Sequence, residues 1–370
     1  MTGSIPEKSD RLIAVGMDMS IMRHPYGGSA RWTAGLLRSL RVLPDLNVRS
    51  WMGPRRLGRG GPMRRIFNLL IDSYWLDVGL PREARRTRRD VLLMPVNLTS
   101  TSSALPQVVT IHDLNFLLEP EAYDRTYAAY ARHMFQASAG RAAAITTVSE
   151  FSRGQIADRL RVDPTRITVV YPGLEEVHAD AQSISPLPRP YALYVGATEP
   201  HKDVPALLEA WRDLVDIDLD LAIVGQPGRD HERVAASARA AGGKVHVVGR
   251  VSQDALEVWY AHARVFVFPS RTEGFGYPPL EAMKRGVPVV ACRSASLPEV
   301  LGHAALYHQP GASGEIAAHV RRILEDADLS SSLVEAGREV SSRYTWPRAA
   351  ATMARILAGE ASGQIRGAVR

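Results

Sequence analysis

Apolar runs of strand length alternate with longer stretches of helical period along nearly the whole chain. In the first half the runs are Leu12–Gly16, Leu46–Met52, Val91–Pro95, Gln107–Ile111, Ala143–Val148 and Ile167–Tyr171. In the second half they are Tyr191–Val195, Leu219–Val224, Lys244–Val248, Val265–Phe268, Val287–Ala291 and Ala304–Tyr307. Strands this apolar, separated by helix-length segments, predict parallel sheets covered on both faces. The alternation breaks once, between Glu176 and Pro190, where the chain ends Ser185-Pro186-Leu187-Pro188-Arg189-Pro190. Such a stretch has little helical or strand potential. The expected fold class is therefore α/β, with two doubly wound Rossmann-like domains. The expected division is 1–178, a linker 179–190, a second domain 191–345 and a closing segment 346–370 with a helix over Pro347–Ala358.

Composition changes this picture little. A chain of 370 residues is long for one core and comfortable for two. The single cysteine, Cys292, excludes an internal disulfide, fits a reducing compartment and reads as a small core residue. The first twelve residues are polar and no run nears 18 apolar residues, so neither a leader nor a membrane span is expected and the location reads as cytoplasmic. The net charge of +6 is modest and suggests no nucleic-acid partner. Oligomeric state is left open.

Chemistry concentrates in Pro269-Ser270-Arg271-Thr272-Glu273-Gly274-Phe275-Gly276-Tyr277-Pro278-Pro279-Leu280-Glu281. A strand precedes it, and a helix over Leu280–Arg285 that stops at Gly286 follows. Proline is tolerated in a first helical turn, so Pro279 fits there. The N–H groups of Phe275, Gly276 and Tyr277 then lead into a positive helix end, which suits a phosphate. Glycines let the backbone approach a ligand closely. Glu281, near the helix start, is expected to stay ionised and to accept from a ribose diol. Glu273 is expected to be free for the hydroxyls of a second sugar.

Further segments also follow strands, where ligands of such folds bind. In Gly196-Ala197-Thr198-Glu199-Pro200-His201-Lys202-Asp203, Asp203 resembles an N-cap for a helix over Val204–Val215, and Lys202 beside that helix end calls for an anion. Arg229 is a weaker candidate for the same anion, and Val248-Gly249-Arg250-Val251 closes the next strand. His112, in Thr110-Ile111-His112-Asp113, can hold a sugar hydroxyl or carry a proton, or simply cap. His24-Pro25-Tyr26-Gly27-Gly28-Ser29-Ala30-Arg31-Trp32 is glycine-rich without a G-x-G-x-x-G fingerprint, so a nicotinamide cofactor is unsupported.

Together these segments resemble retaining family 4 glycosyltransferases, which have the GT-B fold, two Rossmann-like domains facing across a cleft. The likeness runs on through Gly286-Val287-Pro288-Val289-Val290-Ala291 and Ser296-Leu297-Pro298-Glu299-Val300, and includes Val148–Arg153 and Tyr171-Pro172-Gly173. It implies catalytic roles for Glu273, Lys202 and His112. It implies donor contacts from Gly27, Gly28, Lys202, Glu273, Phe275, Gly276, Tyr277 and Glu281, with base readout by the backbone at Arg250 and Val251. The donor would be a nucleotide-diphosphate sugar, GDP- or UDP-linked, with mannose mildly favoured and no cofactor or metal. The acceptor would be a saccharide, a lipid-linked sugar or a small molecule. The closing helix would cross back to the first domain. Two positions depart from the family: Ala197 stands where some members have Arg, and His201 where Arg is usual. A catalytically weak sugar-nucleotide-binding subunit, or a GT-B epimerase or phosphorylase, therefore remains an alternative. A glycosidase would share the carboxylates but needs no phosphate corner.

Three other features carry less. Asp216-Ile217-Asp218-Leu219-Asp220 has D-x-D spacing but leads into a strand and reads as a solvated edge, and Leu57–Pro62 reads as a flexible loop. Residues 51–90 hold ten arginines, no lysine and four acids, with Met63, Ile66, Phe67, Leu70 and Tyr74 at helical spacing. Either this helix packs on its domain with a solvated arginine fringe, or it touches anionic lipid at the inner membrane face.

Overall fold

The computed structural model describes residues 11–23, 27–57, 61–119, 125–177 and 184–363. The first sheet comprises β1 (Ile13–Asp18), β2 (Leu46–Trp51), β3 (Val91–Met94), β4 (Gln107–Thr110), β5 (Ala144–Thr147) and β6 (Ile167–Val169). Its order is β2-β1-β3-β4-β5-β6. The second comprises β7 (Tyr191–Val195), β8 (Asp220–Val224), β9 (Val245–Gly249), β10 (Ala263–Phe268), β11 (Val289–Cys292) and β12 (Ala305–His308), in the order β12-β11-β10-β7-β8-β9. Every pairing is parallel. The central strands are buried on both faces, as their unbroken apolar runs require. All twelve expected strands form, with ends shifted by a residue or two. β11 starts at Val289 rather than Val287 because Pro288 has no N–H for a ladder; its carbonyl instead accepts from Phe266 N at 2.9 Å.

In each sheet the chain winds outward from an inner strand, reverses, and continues on that strand's other side. The reversal lies between β1 and β3 in the first sheet and between β7 and β10 in the second. A crevice opens at such a point beyond the carboxyl ends. The loops after β7 and β10 carry Lys202 and Glu273.

The helix Trp346–Ala361 returns to the first domain and packs on its helix Gly28–Arg41 and on β1, β3 and β4. The fit is tight: a Cβ on Gly35 would sit 2.2 Å from the Trp346 ring, and one on Gly173 2.3 Å from Trp346 N. Beside it the two chain crossings run together, with Leu174 N donating to Tyr344 O at 3.0 Å.

Two helix expectations need correction. The segment from Val204 is α-helical only to Ala210 and tightens into a 3-10 turn over Trp211–Leu214, as helix ends do. Asp203 is no side-chain cap; it holds a left-handed backbone (φ 49°), and its carbonyl accepts from Ala206 N at 3.1 Å.

Candidate active site

The corner after β10 is built by pinning its carbonyls. Ser296 Oγ donates to Glu273 O (3.0 Å) and Phe275 O (3.2 Å), and Ser149 Oγ of the first domain donates to Gly274 O (2.7 Å). Gly276 takes φ +93°, a conformation that favours glycine, and a Cβ there would meet Leu297 Cδ2 at 2.7 Å. The helix begins at Tyr277, three residues earlier than expected, because Pro278 and Pro279 both fit its first turn. Glu281 therefore lies in the second turn.

Glu281 is buried, and its charge is not owed to the helix start. Burial alone would raise its pKa; Arg31, and after it Arg285, outweigh that and hold it below the usual carboxylate value. Arg31 Nη2 donates to Oε1 and Tyr260 Oη to Oε2 at 3.0 Å. Arg31 reaches across from the first domain, its Cζ 4.6 Å from the centre of the Tyr277 ring. Gly28 stands over the same ring, a Cβ there lying 3.5 Å from Tyr277 Cε2. The Tyr277 hydroxyl is buried without a hydrogen-bond partner, a polar group open to a ligand.

The other glutamate is not free. Lys202 Nζ donates to Glu273 Oε1, and both side chains are largely buried. Lys202 Nζ also lies 5.5 Å from the centre of the Phe268 ring. The first domain closes on this pair through Thr110–Asp113: a Cβ on Gly274 would lie 2.8 Å from His112 O. Asp113 is half-buried near the pair, and desolvation raises its pKa.

His112 does not carry a proton at neutral pH. Burial pulls its pKa down to about 4, against the bond from its Nε2 to Pro95 O at 2.9 Å. Its ring meets Trp32 edge-on at 5.3 Å. With Nε2–H spent on that carbonyl, Nδ1 is left as an acceptor. His201 is half-buried and its pKa is lowered, chiefly by burial and then by Lys202, so this departure from the family supplies no cation.

The structure thus gathers Lys202, Glu273, Phe275, Gly276, Tyr277 and Glu281 with Gly27, Gly28 and His112 around the crevice. Arg229 sits further out, its Nε on Glu199 Oε2 at 2.8 Å. Arg250 and Val251 follow β9 at the sheet edge, one exposed and one half-buried. The D-x-D segment is only partly a solvated edge: Asp216 pairs with Arg321, but Asp220 is buried against His246 Nε2 at 2.8 Å. Cys292 is buried in β11, its thiol pushed up to about 12 by burial.

Three residues escaped the sequence reading. Besides Arg31, Glu119 accepts from Thr272 Oγ1 at 2.7 Å beside Arg271. Glu299 accepts from Glu150 N (2.7 Å), Phe151 N (2.9 Å) and Tyr171 Oη (2.8 Å), filling the positive end of a first-domain helix. Each acts on a partner more than 120 residues away in sequence, so no local spacing signals it.

Comparison with known proteins supplies the family. Residues 26–176 match the family described as Glycosyltransferase Family 4, and residues 178–340 the one described as Glycosyl transferases group 1. The O-antigen chain mannosyltransferase B of Escherichia coli is 31% identical over 362 residues, covering 88% of this chain and 94% of that protein. Among solved structures, the sucrose-phosphate synthase of Thermosynechococcus elongatus superposes with a TM-score of 0.73 at 17% identity, over 93% of this chain and 98% of that one. Anabaena HepE in complex with UDP-glucose superposes with a TM-score of 0.69 at 16% identity, over 94% and 100%. The chain belongs to the family 4 glycosyltransferases of the GT-B fold.

Proposed function

We propose that this glycosyltransferase moves a hexose, with retention, from a nucleotide-diphosphate sugar to a growing saccharide, lipid-linked or small-molecule acceptor. Mannose from GDP-mannose is the favoured donor, because the Escherichia coli relative is named a mannosyltransferase. UDP-hexoses come next, HepE having been solved with UDP-glucose. The reaction is placed in the cytoplasm. One observation carries the proposal: a lysine and a glutamate are paired at the strand reversal of the second sheet, beside a glycine corner that opens a helix.

In this reading the donor diphosphate exchanges places with Glu273 at Lys202, and Glu273 turns to the sugar hydroxyls. The bond between the anomeric carbon and the β-phosphate oxygen breaks, and its electron pair leaves with the diphosphate. Lys202 and the N–H groups of Phe275, Gly276 and Tyr277 stabilise that charge as it develops. The acceptor hydroxyl attacks from the face the diphosphate leaves, and its proton passes to the departing phosphate oxygen. His112 Nδ1 accepts from a sugar hydroxyl and holds the ring in place. Glu281 takes the ribose, sharing its oxygens with Arg31 and Tyr260. In this reading the charge on the diphosphate is assigned to protein groups.

Thermal shift against GDP, UDP, ADP and dTDP identifies the base. Donor hydrolysis without acceptor, followed by NMR of the product anomer with acceptor, then tests transfer. Stabilisation by GDP with slow release from GDP-mannose is expected. Tight nucleotide binding with no turnover on any acceptor would instead assign a binding subunit.

A further inference from the structure

Two helix starts meet across the crevice. The first-domain helix Gly28–Arg41 faces the corner helix Tyr277–Lys284, a Cβ on Gly28 lying 3.5 Å from Tyr277 Cε2. Neither has an acid in its first turn or a side-chain cap, so neither positive end is balanced by its own helix. Arg31 closes the first turn of the first-domain helix, its N donating to Gly27 O at 3.2 Å. A cation there is electrostatically unfavourable unless anions join it. Glu281 is one such anion, but it takes a single guanidinium nitrogen, Nη2. Nε and Nη1 have no hydrogen-bond partner among the described residues, and the side chain is 31% exposed. The guanidinium fork is open to a second acceptor. The ring it rests on, Tyr277, carries a buried hydroxyl without a partner.

The second domain leaves a charge to be supplied. A nucleotide-diphosphate sugar carries one negative charge on each phosphate. Lys202 answers one of them. Ala197 of the same loop brings no charge, burial keeps His201 neutral, and Arg229 is paired with Glu199. The two ion pairs also stand in the order of the donor. Glu273 with Lys202 belongs to the transferred sugar, and Glu281 with Arg31 to the ribose. Along sugar, β-phosphate, α-phosphate and ribose, Lys202 then falls beside the β-phosphate and Arg31 beside the α-phosphate.

We propose that Arg31 is a donor-binding residue, donating through Nε and Nη1 to the α-phosphate while Nη2 keeps Glu281. The assignment rests on the transferase reading, which puts the ribose on Glu281. Each domain then holds one phosphate, so the donor is gripped only where the two domains meet.

The test is calorimetric titration of the full chain with the nucleoside, its monophosphate and its diphosphate, in the guanine, uracil, adenine and thymine series. Nucleoside affinities are read by displacement of the diphosphate. In the wild type each added phosphate is expected to tighten binding. Arg31→Ala is expected to lose the step from nucleoside to monophosphate, on the order of tenfold or more, and to keep the step from monophosphate to diphosphate. Lys202→Ala is expected to show the reverse, and Arg31→Lys to recover part of the first step. Removing Arg31 alone takes a partner from buried Glu281. The titrations are therefore repeated on Glu281→Gln with and without Arg31→Gln, where no carboxylate is stranded. Equal weakening of nucleoside, monophosphate and diphosphate by Arg31→Ala would reduce Arg31 to positioning Glu281 and overturn the phosphate contact. A nucleoside-to-monophosphate step that survives loss of Arg31 in both backgrounds would overturn it too. A wild type that binds none of the four diphosphates would instead remove the transferase reading, and this assignment with it.

Discussion

The corner after β10 and the helix Pro62–Tyr74 break the apolar-in, polar-out rule in opposite directions. The corner buries Glu281 and the phenol of Tyr277, and half-buries Glu273 against Lys202 of the loop after β7. The helix exposes a row of large apolar side chains, while its half-buried Asn68 and Asp72 bond to Leu57 and Arg56 of the preceding loop. In the corner the cost of burying charge is offset by partners: Lys202 for Glu273, Arg31 and Tyr260 for Glu281. On the helix the stripe stays exposed among the described residues, the kind of surface that a partner covers. A polar departure can be completed by the fold, whereas an apolar one asks for a partner.

That contrast can be broken from the corner side first. Lys202→Ala is expected to lower turnover by about 10²–10³-fold, the usual cost of losing a group that stabilises developing charge. Glu273→Gln should fall in the same range, read as nucleotide release from the donor. Wild-type turnover in either variant, with melting unchanged, removes the ion pair from the chemistry.

The next effect is one of pH. His112 stays neutral in the fold down to about 4, while an unfolded histidine takes a proton near 6.5. Above pH 6.5 neither state is charged and the group adds no pH dependence. Between 6.5 and 4 only the unfolded state gains the proton, so stability falls as pH drops, by up to about 3 kcal/mol. Urea melts at pH 7.5 and 4.5 should therefore show a shallower acid loss for His112→Gln than for the wild type. Equal losses would refute the assignment.

Smaller still is the backbone term. Gly276→Ala forces a left-handed non-glycine residue and a 2.7 Å approach to Leu297. A loss of about 1–3 kcal/mol in denaturant melts is expected, with weaker nucleotide binding as the corner shifts. The smallest change should come from the opposite region. Phe67→Ser in solution is expected to move stability by less than about 0.5 kcal/mol, since its side chain is half exposed. A large loss would mean that the stripe is structural after all.

Most of the fold was legible because buried parallel strands must be apolar on both faces, and that leaves a mark in twelve places. The corner was legible because glycine and proline report backbone geometry directly. What stayed hidden falls into two kinds. Arg31, Glu119 and Glu299 act across the crevice, and no spacing along one element records a partner on another. The helix Pro62–Tyr74 is the second kind. Its period showed that Met63, Phe67, Leu70 and Tyr74 share a side, but periodicity says nothing about which side turns inward. His112 lay between the two: its strand-end position was visible, while its neutrality comes from burial beside Trp32, which outweighs the bond to Pro95 O.

The returning helix Trp346–Ala361 bears on how the molecule is made. It covers the first sheet beside Gly28–Arg41, yet a ribosome delivers it only after the whole second sheet. The nascent first half must therefore wait, with the seat of Trp346 on Gly35 and Gly173 vacant, until synthesis has passed residue 361. The half begun earliest is the one finished last.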